Sequence, residues 1–178
     1  GDAAPATQAA VGGRSGVRVI RRGVLAWEGG GGDQSCGRRA GGAVGVEVGA
    51  GDIPIAGDWN GDGRTKVGVD RPSTGLFVLD YDGDGQFTSA DKAYNLGVGT
   101  EAADLPVVGD WNGDGKTKVG LFRHGFFWIL DYNGNGVFEQ GIDKTYAFGG
   151  QAGDLPLCGA WTGPGPRQIG LLRPGCFW

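Results

Sequence analysis

Four short segments of this chain place oxygen-bearing side chains at alternating positions, and that spacing suits a hard cation. Two are of a first type: Asp58-Trp-Asn60-Gly-Asp62-Gly-Arg64 and Asp110-Trp-Asn112-Gly-Asp114-Gly-Lys116. Two are of a second type: Asp80-Tyr-Asp82-Gly-Asp84-Gly-Gln86 and Asp131-Tyr-Asn133-Gly-Asn135-Gly-Val137. Oxygens at positions 1, 3 and 5, glycine at 6 and a backbone carbonyl at 7 make the front half of a calcium loop. Alternate side chains must converge on one ion, and the glycine lets the chain turn so that the next carbonyl points inward. Carboxylate and amide oxygens select calcium over softer metals. The backbone carbonyls would come from Arg64, Gln86, Lys116 and Val137. Position 9 is Thr88 in one second-type loop and Glu139 in the other, and both can supply an oxygen. In the first-type loops position 9 is Lys66 or Lys118, which cannot. These two sites are expected to be weak or to recruit a further oxygen such as Asp52 or Asp104. Asn-Gly and Asp-Gly pairs are also common hairpin-turn signals, but four loops at matched positions favour ligation over plain turns.

The loops recur because the chain is a repeat. GDIPIAGDWNGDGRTKVGVDR from Gly51 has a near copy, ADLPVVGDWNGDGKTKVGLFR, from Ala103, and a third, GDLPLCGAWTGPGPRQIGLLR, from Gly153. Taking Asp52, Asp104 and Asp154 as starts gives unit lengths of 52 and 50. A worn copy fills the N-terminal stretch, with Asp2 aligned to Asp104 and Arg21 to Arg123. The organisation is thus a degenerate unit over 2–51, two calcium-loop units over 52–103 and 104–153, and a half unit over 154–178. In the half unit the loop reads Ala160-Trp-Thr-Gly-Pro-Gly, and in the first unit Val11-Gly-Gly, so both lack ligands and should hold no ion.

Each unit reads as β structure. Thr65–Arg71 and Thr117–Arg123 are short, β-branched and apolar; each is followed by a turn and then by 76–81 or 126–132, which makes a hairpin. Residues 126–130, Phe-Phe-Trp-Ile-Leu, are apolar on both faces and predict a strand covered on both sides. Pro54, Pro106 and Pro156 suggest that the strand opening each unit lies at an edge. Lys92–Leu96 and Lys144–Phe148 would be the last strands. Four short strands per unit of about fifty residues match a propeller blade or a stacked β array. The expected fold is therefore all-β, built of four-stranded blade-like repeats, propeller-like or an open array completed between molecules.

The motif G-D-W-N-G-D-G-K-T-K-V-G-L-F-R followed by D-Y-N-G-N-G resembles the FG-GAP or VCBS-type repeats of extracellular proteins. The resemblance covers 52–153 fully, 154–178 in part and 2–51 weakly. It implies four-stranded blades that bind calcium through the loop, with Asp58, Asn60, Asp62, Asp110, Asn112 and Asp114 at the ligand positions. Lys66 and Lys118 depart from the acidic residue usual there.

Composition agrees. Of 178 residues 40 are glycine, without a third-position period, which excludes collagen, while no heptad survives so much glycine. No apolar run approaches the ~20 residues of a membrane-spanning helix. Residues 52–153 carry 15 acidic and 8 basic groups, a poor surface for nucleic acid. No catalytic constellation stands out; His124, the sole histidine, sits in a predicted turn facing solvent. Trp59, Trp111 and Trp161 recur once per unit, either capping the core or stacking on sugar rings. Of Cys36, Cys158 and Cys176, the last two replace the core-like Val108 and Phe126 of the neighbouring unit; they would form either a disulfide or two buried thiols.

The chain starts with Gly and has no Met, which suits a processed product or an excised fragment, and it stops at Trp178 inside a blade. An unfinished blade exposes an unpaired edge, so head-to-tail filament formation is expected, against a two-chain ring or a truncated protein. Two function classes follow: an extracellular, non-enzymatic structural or adhesive protein braced by calcium and assembling with itself, and a glycan-binding lectin on the same scaffold.

Overall fold

The structure, a computed structural model, describes residues 49–99, 101, 103–151 and 153–175, together with the backbone of two strands, β1 (Gly16–Ile20) and β2 (Val24–Glu28). The expected degenerate unit over 2–51 otherwise lies outside the described residues, as do Cys36 and Cys176 of the cysteine set. Two antiparallel meanders of four strands follow. The first is β3 (Ile53–Gly57), β4 (Lys66–Arg71), β5 (Leu76–Leu79) and β6 (Lys92–Tyr94). The second is β7 (Leu105–Gly109), β8 (Lys118–Arg123), β9 (Phe127–Leu130) and β10 (Lys144–Ala147). A two-stranded sheet of β11 (Leu155–Gly159) and β12 (Gln168–Leu172) ends the array. The chain is all-β, and among the described residues there is no helix and no closed barrel or propeller.

Local chemistry accounts for the strands and their turns. Pro54, Pro106 and Pro156 each lie in a strand at the sheet edge, where a missing N–H is tolerated. Between β8 and β9 the two turn residues His124 and Gly125 have φ of 55° and 73°. That doubly left-handed pair is the tight hairpin turn whose twist matches its strands. Within β8, Gly120 is required by packing, since a Cβ there would lie 2.6 Å from the Ile129 carbonyl oxygen.

Alternation along the strands sends side chains to two different cores. Val119, Leu121 and Ile129 pack with Ile55, Trp59, Phe77, Leu79 and Leu96. Phe122, Trp128 and Leu130 pack instead with Val107 and Trp111, and against Ile169, Leu171 and Cys158. The second sheet is therefore apolar on both faces and lies between the first and the third. Opening strands touch in sequence, β3 with β7 and β7 with β11. Backbone bonds repeat from unit to unit: Thr117 N–H donates to the Asp58 carbonyl at 2.7 Å, and Arg167 N–H to the Asp110 carbonyl at 2.7 Å. Those bonds link the Asp58 and Asp110 loops to the units that follow them.

An ion pair staples each unit. Arg71, Arg123 and Arg173 reach back 19 residues to Asp52, Asp104 and Asp154 at 2.9, 2.8 and 2.8 Å. Asp52 and Asp104 are thus committed to arginine and do not serve the first-type loops, which corrects the expectation that they supply a further oxygen there. In each unit the aspartate just before the opening strand meets the arginine at or just beyond the end of the strand paired with it.

Candidate metal centre

All four loops share one backbone geometry. Position 1 is an aspartate whose two oxygens accept the N–H groups of the two glycines, as in Asp80 with Gly83 at 2.7 Å and Gly85 at 3.1 Å. Asp58, Asp110 and Asp131 do the same with their own glycine pairs. Those glycines have φ between 75° and 85°, a left-handed conformation that ordinary residues avoid. Each aspartate or asparagine at position 3 or 5 accepts an N–H two residues on, which curls the loop and turns its side-chain oxygens inward. Each loop is therefore curled by its own side chains.

In the first-type loops the expected ligands do converge, and they converge on an amine. Lys66 Nζ donates to Asn60 Oδ1 at 2.6 Å, Asp62 Oδ1 at 2.6 Å and the Arg64 carbonyl at 3.2 Å, and lies 3.4 Å from Asp58 Oδ1. Lys118 Nζ repeats this with Asn112 at 2.7 Å, Asp114 at 2.5 Å, the Lys116 carbonyl at 2.9 Å and Asp110 at 3.3 Å. The bond from Lys66 holds the Asp62 carboxyl below its ordinary range. At Asp114 desolvation pushes upward, and the bonds from Lys118 and the Lys116 N–H outweigh it.

The second-type loop of the first unit differs. Asp80, Asp82 and Asp84 bring one oxygen each within 4.8 Å of one another, with Asp80 buried and the other two exposed. Burial pushes the Asp80 carboxyl above its ordinary value, against the two glycine N–H bonds and with repulsion from Asp91 and Asp82 added. Gln86 follows at position 7, its N–H bonded to Asp84, and Thr88 at position 9 has its hydroxyl bonded to the Ala90 N–H. The donor set fits a divalent cation, because several hard oxygens face one point.

In the second unit Asp131 is fully buried and its carboxyl is likewise raised by burial. There the Asn133 and Asn135 amides donate to Glu139 Oε2 at 2.8 and 2.6 Å, and Val137 is exposed. Position 9 is drawn into the loop, but with fewer charges than in the first unit.

Sequence reasoning missed two residues here. Asp91 accepts the Tyr81 and Thr88 N–H groups at 2.6 Å each, and Asp143 accepts those of Tyr132 and Glu139 at 2.7 Å each. They close the back of each second-type loop. Their signal was a further acid eleven or twelve residues after position 1. The missed role of Lys66 and Lys118 had a signal too, in their position among the ligands.

Trp59 and Trp111 are 1% and 2% exposed, and their indole N–H groups donate to the Val67 and Val119 carbonyls. Trp161 is 58% exposed. His124 is exposed in its turn and bonded to Glu101. Cys158 is a free thiol lodged against the second core, raised by burial to about 12; its expected partner Cys176 is outside the described residues. Comparison with family models, with curated proteins and with solved structures returns no match.

Proposed function

We propose that this chain is a non-enzymatic, extracellular structural or adhesive protein whose blade-like repeats, similar to FG-GAP and VCBS repeats, are braced by calcium and associate with copies of the same chain. The observation that carries this reading is the Asp80–Asp82–Asp84 cluster within a set of repeated loops. A buried aspartate with two further carboxylates beside it is costly without a counter-ion. Calcium would be held by those three residues, with the Gln86 carbonyl and Thr88 completing the loop. It would tie the β5–β6 connection down and so stiffen the array. Asp131, Asn133, Asn135 and Glu139, with the Val137 carbonyl, would form a weaker counterpart, because fewer charges face the ion.

A ligand bound only by the folded state adds RT ln(1 + [L]/Kd), about 2.7 kcal/mol at a hundredfold excess over Kd. Chelation is expected to lower the melting temperature of the parent, and Asp82→Ala to abolish most of that response. A melting curve unmoved by excess chelator refutes calcium bracing.

Self-association is supported by the last sheet. Trp59 and Trp111 are covered by the sheet that follows, whereas Trp161 is largely exposed and β12 has one neighbour among the described residues. The association is expected to proceed through that face and to weaken in Trp161→Ala. Light scattering across a concentration series tests it, and a concentration-independent monomer overturns it. The same exposed indole supports the second reading, a glycan-binding surface. Glycan-array binding lost in Trp161→Ala, with no self-association, would favour that instead.

A further inference from the structure

The first-type loops hold an amine where a metal loop holds its ion. We infer that Lys66 and Lys118 are built-in cations that occupy the ion position of these two loops, so that the loops close without metal and calcium is confined to the second-type loops. The lysine assignment stands on the contacts themselves; the confinement of calcium rests on the function proposed above.

Each Nζ meets the four oxygens that calcium would use: the side-chain oxygens of positions 1, 3 and 5 and the carbonyl of position 7. Corresponding distances in the two units agree within 0.3 Å. The lysine side chains are 3% and 2% exposed. An ammonium so deeply buried is tolerated only when paired and hydrogen-bonded, and here several oxygens share its charge. A compact ammonium with three rotatable donors suits a cluster of oxygens converging on one point, which a planar guanidinium does not.

Calcium cannot join the amine. It needs the same oxygens at about 2.3–2.6 Å, so it would overlap Nζ and be repelled by it. Nor does the lysine leave freely. Its stem lies along the neighbouring second-type loop, close enough that a Cβ on Gly83 would meet Lys66 carbons at 3.4–3.6 Å and one on Gly134 would meet Lys118 carbons at 3.2–3.6 Å. The stem therefore joins the metal-free loop to the loop that takes calcium.

The third unit supplies an independent check. Its first-type loop has lost both carboxylates, with Ala160, Thr162 and Pro164 at positions 1, 3 and 5. Position 9 has become neutral with them: it is Gln168, which donates to Thr162 Oγ1 at 2.9 Å and accepts the Trp161 N–H at 2.9 Å. Position 9 is thus the internal partner of the loop in all three units, charged where the loop is charged and neutral where it is not.

The test is the double variant Lys66→Met, Lys118→Met in the full chain, which keeps the stems and removes the charges. Calcium stoichiometry by calorimetry and melting temperature with chelator or calcium are read against the parent. The variant is expected to bind one more calcium per lysine removed and to show a larger calcium-induced rise in melting temperature. Stoichiometry equal to the parent's overturns the inference. So does loss of calcium from the parent on Asp62→Asn, Asp114→Asn with Asp80, Asp82 and Asp84 intact. If the variant folds only with calcium, the inference is supported. If it folds in neither condition, nitrogen-15 lysine spectra of the unmodified protein decide. Two slowly exchanging ammonium signals unmoved by calcium support the inference, and their absence or displacement by calcium overturns it. A parent that binds no calcium refutes the proposed function alone, because the gain on removing the lysines is still measured.

Discussion

Asp70 is a charge in the wrong place, and its removal should stabilise the protein at neutral pH and above. It lies on β4, 1% exposed, opposite Phe77, in the register position that Phe122 fills in the next unit. Among the described residues its Oδ2 has no hydrogen-bond partner. Asp70 lines a small cleft with Phe77, Asn95, Leu96, Val98, Leu121 and Asp104. Desolvation, with repulsion from Asp104 and Asp52 added, raises its carboxyl to about 7. Because the folded value lies above the unfolded one, the folded state holds the extra proton between about pH 4 and pH 7. Stability from this group is present below pH 4 and is lost as pH rises to 7, beyond which the full penalty remains. At about 1.4 kcal/mol per unit over roughly three units the penalty is of order 4 kcal/mol. Asp70→Asn, measured by urea denaturation from pH 4 to pH 8, should match the parent at the acid end and exceed it by a few kcal/mol at pH 8. Taking the difference between variant and parent at each pH removes the titration of the other carboxylates. A difference that stays flat across the range refutes the reasoning.

The staple and the tryptophans give two further tests. Arg123 bonds Asp104 and the Val98 and Gly99 carbonyls with little exposure, so Arg123→Ala should cost about 3–5 kcal/mol in urea midpoint analysis, because Asp104 is left buried without its cation. Arg173→Ala should cost measurably less, because that guanidinium is itself far more exposed than Arg123. Trp111→Ala should destabilise by about 3–5 kcal/mol, as expected for emptying a packed core site. Trp161→Ala should cost less than about 1 kcal/mol in the same assay, since its ring is mostly in solvent.

The repeat, the strands and the loops were legible in the sequence because each is a local property. Alternating β-branched runs, a His-Gly turn and a proline in each opening strand needed only neighbouring residues to be read. The loop curl was equally local, since an aspartate reaches glycine N–H groups three and five residues away whatever surrounds it. Burial at equivalent positions was not local. Trp59, Trp111 and Trp161 occupy the same place in the motif, yet the first two are covered by the following sheet and the third is bare. Which aspartate meets which cation was also decided by the sheets. Asp52 and Lys66 both lie near the first loop in sequence, but strand pairing carries Asp52 to Arg71, while the start of β4 aims Lys66 into the loop. The ligand spacing therefore announced a cation site, and only the tertiary structure decided that a lysine, tethered by its own strand and held down by the next loop, supplies the charge.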